Sequence, residues 1–127
     1  MLGSMTDLGG VLDEFCAAFT TQDAARLKEL FVGDDASLLT SDDLVLRGLD
    51  HLHVFFDAYA AQGTSFSFSW YSREAYEVGD AGWVVALGVE TAHRPDGEET
   101  TPFRMTLVCR RTVDGWGISH LHASSAG

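Results

Sequence analysis

The sequence predicts an α+β domain: a curved antiparallel or mixed sheet wrapped around three helices drawn from the N-terminal half. Three observations lead there. Apolar residues recur at helical spacing in three separate stretches before residue 63. From residue 65 onward the pattern changes to alternation, the period of a strand. Turn dipeptides at Gly79-Asp80, Pro95-Asp96 and Asp114-Gly115 then cut that half into consecutive hairpins. Helices first and a meander second exclude an alternating parallel fold. Three amphipathic helices need a sheet face to bury their stripes, and a sheet curved around them makes an open cone with an interior.

Asp7 can cap the first helix, on which Leu8, Val11, Leu12, Phe15 and Phe19 share one face. Gly9 and Gly10 weaken its first turn by roughly 1 kcal/mol each relative to alanine. Asp23 caps a short second helix carrying Leu27, Leu30 and Phe31, ended by Gly33. Residues 36–40 and 44–46 read as two short strands around the turn Ser41-Asp42-Asp43. The third helix spans 48–62, with Leu52, Phe55, Phe56 and Tyr59 as its stripe and Gly63 as its stop. The strands are then 65–78, 82–93, 101–112 and 116–124. In the first of these Phe66, Phe68 and Trp70 alternate with Ser65, Ser67, Ser69 and Tyr71.

The chain has 127 residues and is read as one domain over 5–127, with 1–4 expected to be an expression-tag remnant ahead of Met5. An apolar content of 46% fits a folded protein. No apolar run approaches the roughly 20 residues of a membrane span, and the N-terminus lacks the basic-then-apolar pattern of a secretory leader. A net charge of −11, with only 8 Lys and Arg, repels phosphate backbones and anionic lipid, so neither nucleic acid nor membrane is an expected partner. Cys16 and Cys109 sit among core-like residues outside any CxxC. They read as reduced, buried thiols of a cytoplasmic protein, with a disulfide between them or a catalytic role as the alternatives.

The closing strand carries the most information. By simple alternation Trp116, Ile118, His120, His122 and Ser124 share a face that starts apolar and ends polar, as along a pocket and out at its rim. His120 and His122 then lie roughly 6.5 Å apart, close enough for one metal, with Glu90, His93 or Glu74 as third ligand. Either imidazole could instead carry protons, or both could support the fold. His51 and His53 lie about 200° apart on a helix and cannot share a ligand. Phe19, Tyr59, Trp70, Tyr76, Trp83 and Trp116 are candidates to line an apolar pocket. Arg104 shares a face with Thr106 and Val108. Turned inward it would hold a carboxylate ligand; turned outward it would pair with Glu90. The stretch 83–89 is apolar on both faces, so the outer face of the sheet is expected to pack on a second copy.

These features together resemble the SnoaL-like group of the NTF2-like, cystatin-like cone proteins. The resemblance rests on element order, on Phe15 to Phe19 followed by Asp23 and Leu27 to Phe31, on Gly48 opening the third helix, and above all on Trp116-x-Ile118-x-His120-x-His122-x-Ser124. The association domain of calcium/calmodulin-dependent protein kinase II ends in a similar strand. The resemblance implies a sheet around a pocket and commonly a homodimer through the sheet, but no single activity. Against the ketosteroid-isomerase pattern the chain is incomplete: the first helix offers Phe15 and Phe19 rather than a tyrosine, and Asp42 and Asp43 read as a turn. The expectation is a cytoplasmic homodimer binding a small apolar molecule. Any catalysis would be cofactor-independent acid–base chemistry through His120 or His122. A non-catalytic assembly or ligand-sensing module and a metal-dependent enzyme are the alternatives.

Overall fold

The computed structural model describes residues 7–125. The expected tag remnant lies outside them. Helices α1 (Leu8–Thr20) and α2 (Ala24–Leu30) come first, then strands β1 (Ser37–Thr40) and β2 (Val45–Arg47) and helix α3 (Leu49–Ala61). Strands β3 (Ser65–Val78), β4 (Ala81–Arg94), β5 (Gly97–Thr112) and β6 (Gly115–Ser125) complete the chain. One mixed sheet runs β2-β1-β6-β5-β4-β3. β3 to β6 form the expected meander of antiparallel pairs, whereas β1 lies parallel to β6, with Ser37 opposite His120.

Both predicted caps form. The Asp7 carboxylate accepts from the Gly10 amide at 2.7 Å and Asp23 from the Arg26 amide at 3.1 Å, each satisfying a donor that the helix leaves open. The second helix stops one residue earlier than its apolar pattern suggests. Phe31 is extended, buried, and bridged in parallel to Ile118, so it belongs to the sheet edge of the core. The helices cover one face of the sheet. Leu8, Val11, Leu12 and Phe15 of α1 pack with Leu52 and Phe56 of α3 against Val84, Ala86, Leu107, Ile118 and Leu121.

Two irregularities bend the sheet and set which way side chains point. In β3 the pairing slips between Trp70 and Ser72, leaving Tyr71 as the extra residue and 79% exposed. Gly88 faces this bend, where a Cβ would run into the Ser69 carbonyl, so the close approach of β3 and β4 requires glycine. In β6 the pairing slips between Ile118 and His120, opposite the consecutive Val108 and Cys109. Ser119 is therefore the extra residue, and alternation restarts after it.

That second bulge corrects the reading of the closing strand. Ile118, Leu121 and Ala123 are buried on the helix-covered face. His120 and His122 pair with Val108 and Thr106 on the other face. Trp116 and Ile118 do not share a side with the two histidines, because the extra residue reverses the parity between them.

Candidate functional site

Between the helices and the inner face of the sheet lies an apolar cavity of about 70 Å³. Five phenylalanines line it: Phe15, Phe19, Phe55, Phe68 and Phe103. Leu38, Met105, Leu121 and Ala123 fill the gaps, and Thr40 and Glu90 are the polar lining residues. Glu90 is the one ionisable side chain among them. It stands in β4 opposite Phe68 on one side and Thr101 on the other, on the same face as Val84, Ala86, Gly88 and Ala92. Burial pushes its carboxyl above the usual carboxylate range, the negative charge of Asp42 pushes the same way, and Arg94 partly opposes both. A carboxyl in an apolar site with a raised pKa holds its proton more tightly than an exposed one, the direction that suits a group that takes and returns a proton.

Sequence reasoning named Glu90 only as a distant metal ligand or as the partner of Arg104. The available signal was its parity. Glu90 alternates in step with the small residues of β4, which suit the crowded inner face, and out of step with Trp83, Val85 and Leu87.

The aromatic residues expected at the pocket divide. Phe19 lines the cavity. Tyr59 stands behind it, its ring stacked on Phe19 at 4.0 Å between centroids, its hydroxyl donating to the Phe19 carbonyl at 2.8 Å and accepting from the Phe66 amide at 3.2 Å. Burial pushes this phenol up to about 12, so Tyr59 clamps α1, α3 and β3 rather than exchanging protons. Trp70 stacks on Phe68 at 5.6 Å, a second layer around the cavity. Trp116 faces a separate recess shared with Glu14, Arg26 and Asp114, with the Arg111 guanidinium 4.3 Å above its ring. Trp83 and Tyr76 stack on each other at 5.5 Å on the outer face. Arg104 is exposed on that face opposite Leu87, and Glu90 points the other way, so neither reading of Arg104 finds its partner.

The histidines expected to carry the chemistry are likewise outside. His120 Nδ1 lies 2.7 Å from Ser37 Oγ, and His122 is exposed. Burial lowers the His120 pKa, the neighbouring His122 lowers it further, and the bond to Ser37 opposes both. Glu90 cannot complete a metal set with this pair across the thickness of the sheet. No group of three His, Cys, Asp or Glu placed to hold a metal occurs among the described residues. Cys16 and Cys109 are both free, and burial pushes their thiols up to about 11 and about 12, which keeps them protonated and unreactive. No helix of the described residues is long and apolar enough to cross a membrane.

This arrangement, three helices against one face of a bent, open six-stranded sheet with a cavity between, is that of the NTF2-like, cystatin-like cone. The SnoaL-like domain matches residues 10–126, and the chain belongs to that family. Solved structures agree on the fold. An NTF2-like family protein from Streptomyces avermitilis, suggested to be a dehydratase, superposes with a TM-score of 0.87 at 20% identity over 95% of this chain and 94% of that one. An NTF2-like superfamily protein from Salmonella enterica gives 0.81 at 18% identity, covering 94% and 89%. The CaMKII hub of S. rosetta gives 0.74 at 24% identity, covering 91% and 92%. No curated protein matches the chain in sequence.

Proposed function

We propose that the cavity binds a small apolar molecule and that Glu90 moves a proton on it, without a cofactor. The observation that carries this reading is the placement of one carboxyl, with its pKa raised, inside a box of five phenylalanines. A proton carrier is favoured where its surroundings shift its pKa toward the working pH, and the shift at Glu90 is in that direction. The volume limits the group that enters to a few heavy atoms, so the substrate is a small molecule or the small end of a larger one. A carbonyl compound with a removable neighbouring proton fits such a base, and isomerisation and dehydration both begin with that step. The likeness to the Streptomyces protein is compatible with the second.

Incubating the protein in deuterium oxide with a panel of small apolar ketones tests this without knowing the substrate. Proton NMR should show α-hydrogens exchanging faster than in buffer, and Glu90→Gln should remove at least about 100-fold of that acceleration. Equal rates in both proteins would discard Glu90 as the base.

The outer face supports a second, compatible role in assembly. Trp83, Leu87 and Val108 are each more than a third exposed there, a contiguous apolar patch that a second copy would cover. The structural likeness to a CaMKII hub is compatible with a role in assembly. Dimer formation through the sheet leaves the cavity on the opposite side free.

A further inference from the structure

At the far end of the outer face, three side chains stand in line. Ser67 Oγ is 2.7 Å from His93 Nε2, and His93 Nδ1 is 2.7 Å from Glu98 Oε2. The hairpin β4–β5 fixes this geometry. His93 and Glu98 are directly opposed next to the turn, and Ser67 reaches His93 diagonally from β3, where His93 is opposed by Ser65. The protonation pattern follows from the partners. An ionised carboxylate only accepts, so Nδ1 of a neutral His93 carries the hydrogen and Nε2 is bare, accepting from the Ser67 hydroxyl. That is the order of roles in which a carboxylate orients an imidazole and the imidazole activates a serine.

From this geometry we infer that Ser67 is a nucleophile for acyl transfer, with His93 as its base and Glu98 as the positioning residue. The hydroxyls beside it complete the site. Thr91 is directly opposite Ser67, and its Oγ1 lies 2.9 Å from that of Thr100. One of these two hydroxyls donates to the other, which leaves a second hydrogen free to meet an oxyanion forming next to Ser67. The substrate class is small carboxylic esters. Uncharged or cationic esters are favoured over anionic ones by the net charge of −11.

In the reaction Ser67 Oγ bonds to the carbonyl carbon as its proton passes to His93 Nε2. The tetrahedral intermediate collapses, the ester C–O bond breaks, and the alcohol leaves with that proton. Water then repeats the sequence on the acyl-serine, giving its proton to His93 and releasing the carboxylic acid, and Ser67 regains its hydrogen. The site lies about six residues along β4 from Leu87, roughly 20 Å, and so outside the apolar patch.

An alkyl fluorophosphonate probe tests the assignment. Attack by Ser67 forms an O–P bond and expels fluoride, leaving an adduct that peptide mass spectrometry locates. The expected result is an adduct on Ser67 that forms about 100-fold more slowly in His93→Gln, more slowly by a smaller factor in Glu98→Gln, and not at all in Ser67→Ala. Hydrolysis of 4-nitrophenyl acetate should fall in the same order. Circular dichroism melts of the variants confirm that they fold. Absence of an adduct at Ser67 in the folded wild-type protein would overturn the assignment, and so would labelling that His93→Gln leaves unchanged.

Discussion

The inner and outer faces of the sheet are built from alternate residues of the same strands, yet they hold different chemistry. Inside, β4 presents Val84, Ala86, Gly88, Glu90 and Ala92, and one carboxyl among aromatic rings takes a raised pKa. Outside, the same strand presents Trp83, Val85, Leu87, Val89, Thr91 and His93, an apolar patch that passes into a polar row. The histidines of β6 belong to this outer set. Their environment is that of an open sheet surface, whereas Glu90 is half-buried among the apolar residues that line the cavity. The contrast shows how far one extra residue can redirect function: without Ser119 as a bulge, His120 and His122 would occupy the places of Leu121 and Ala123 in the cavity wall.

Adjacent residues of β6 break or sharpen that contrast most strongly. Leu121 is 2% exposed on the inner face, so Leu121→Ala should cost about 2–5 kcal/mol in urea unfolding. His122→Ala, one residue on, should stay within about 0.5 kcal/mol. The reverse pattern would mean that the register without the bulge is correct.

The outer patch gives the next effect. Leu87→Glu places a charge in the apolar surface and should convert dimer to monomer in sedimentation velocity at micromolar concentration, without lowering the melting point of the isolated fold. A wild-type protein that is monomeric at the same concentration would remove the proposed use of this face.

Smaller effects lie in the pH dependence, where the two faces differ in sign. Glu90 has a folded pKa above its unfolded value, so the native state holds the proton more tightly. Stability therefore falls as pH rises from the unfolded pKa through the folded one, and Glu90→Gln should remove that fall and stabilise the protein at neutral pH. His120 has a folded pKa below its ordinary 6.5. Its contribution is complete above 6.5 and declines as pH drops toward the folded value, so His120→Gln should flatten the acid side of the profile. Melting temperatures measured from pH 4 to pH 8 for wild type and the two variants separate these slopes.

Much of the fold was legible in the sequence because its signals are local. The caps Asp7 and Asp23, the helical stripes and the turn dipeptides each act over a few residues, and all but Phe31 at the end of the second stripe reappear in the structure. The site was less legible, for two physical reasons. A bulge has no local signature: Ser119 is an ordinary strand residue, and only pairing with β5 reveals that it is unopposed. Nor does alternation alone say which parity faces in. Arg104 could be grouped with Thr106 and Val108, but the choice between faces depends on the helices that cover one of them. The parallel pairing of β1 with β6 is similarly a long-range result that no stretch of sequence carries by itself.

The central claim is that the working titratable group is Glu90 inside the cavity and not the histidines of the closing strand. Carbon-detected NMR titration of the glutamate carboxyls and histidine rings, with and without a small ketone bound, tests it most directly. The Glu90 carboxyl should titrate above 4.5, the ordinary value, and its resonance and midpoint should move when the ketone binds, while His120 and His122 stay where they were. A Glu90 that titrates at its ordinary value and ignores the ketone, with the histidine signals moving instead, would contradict it.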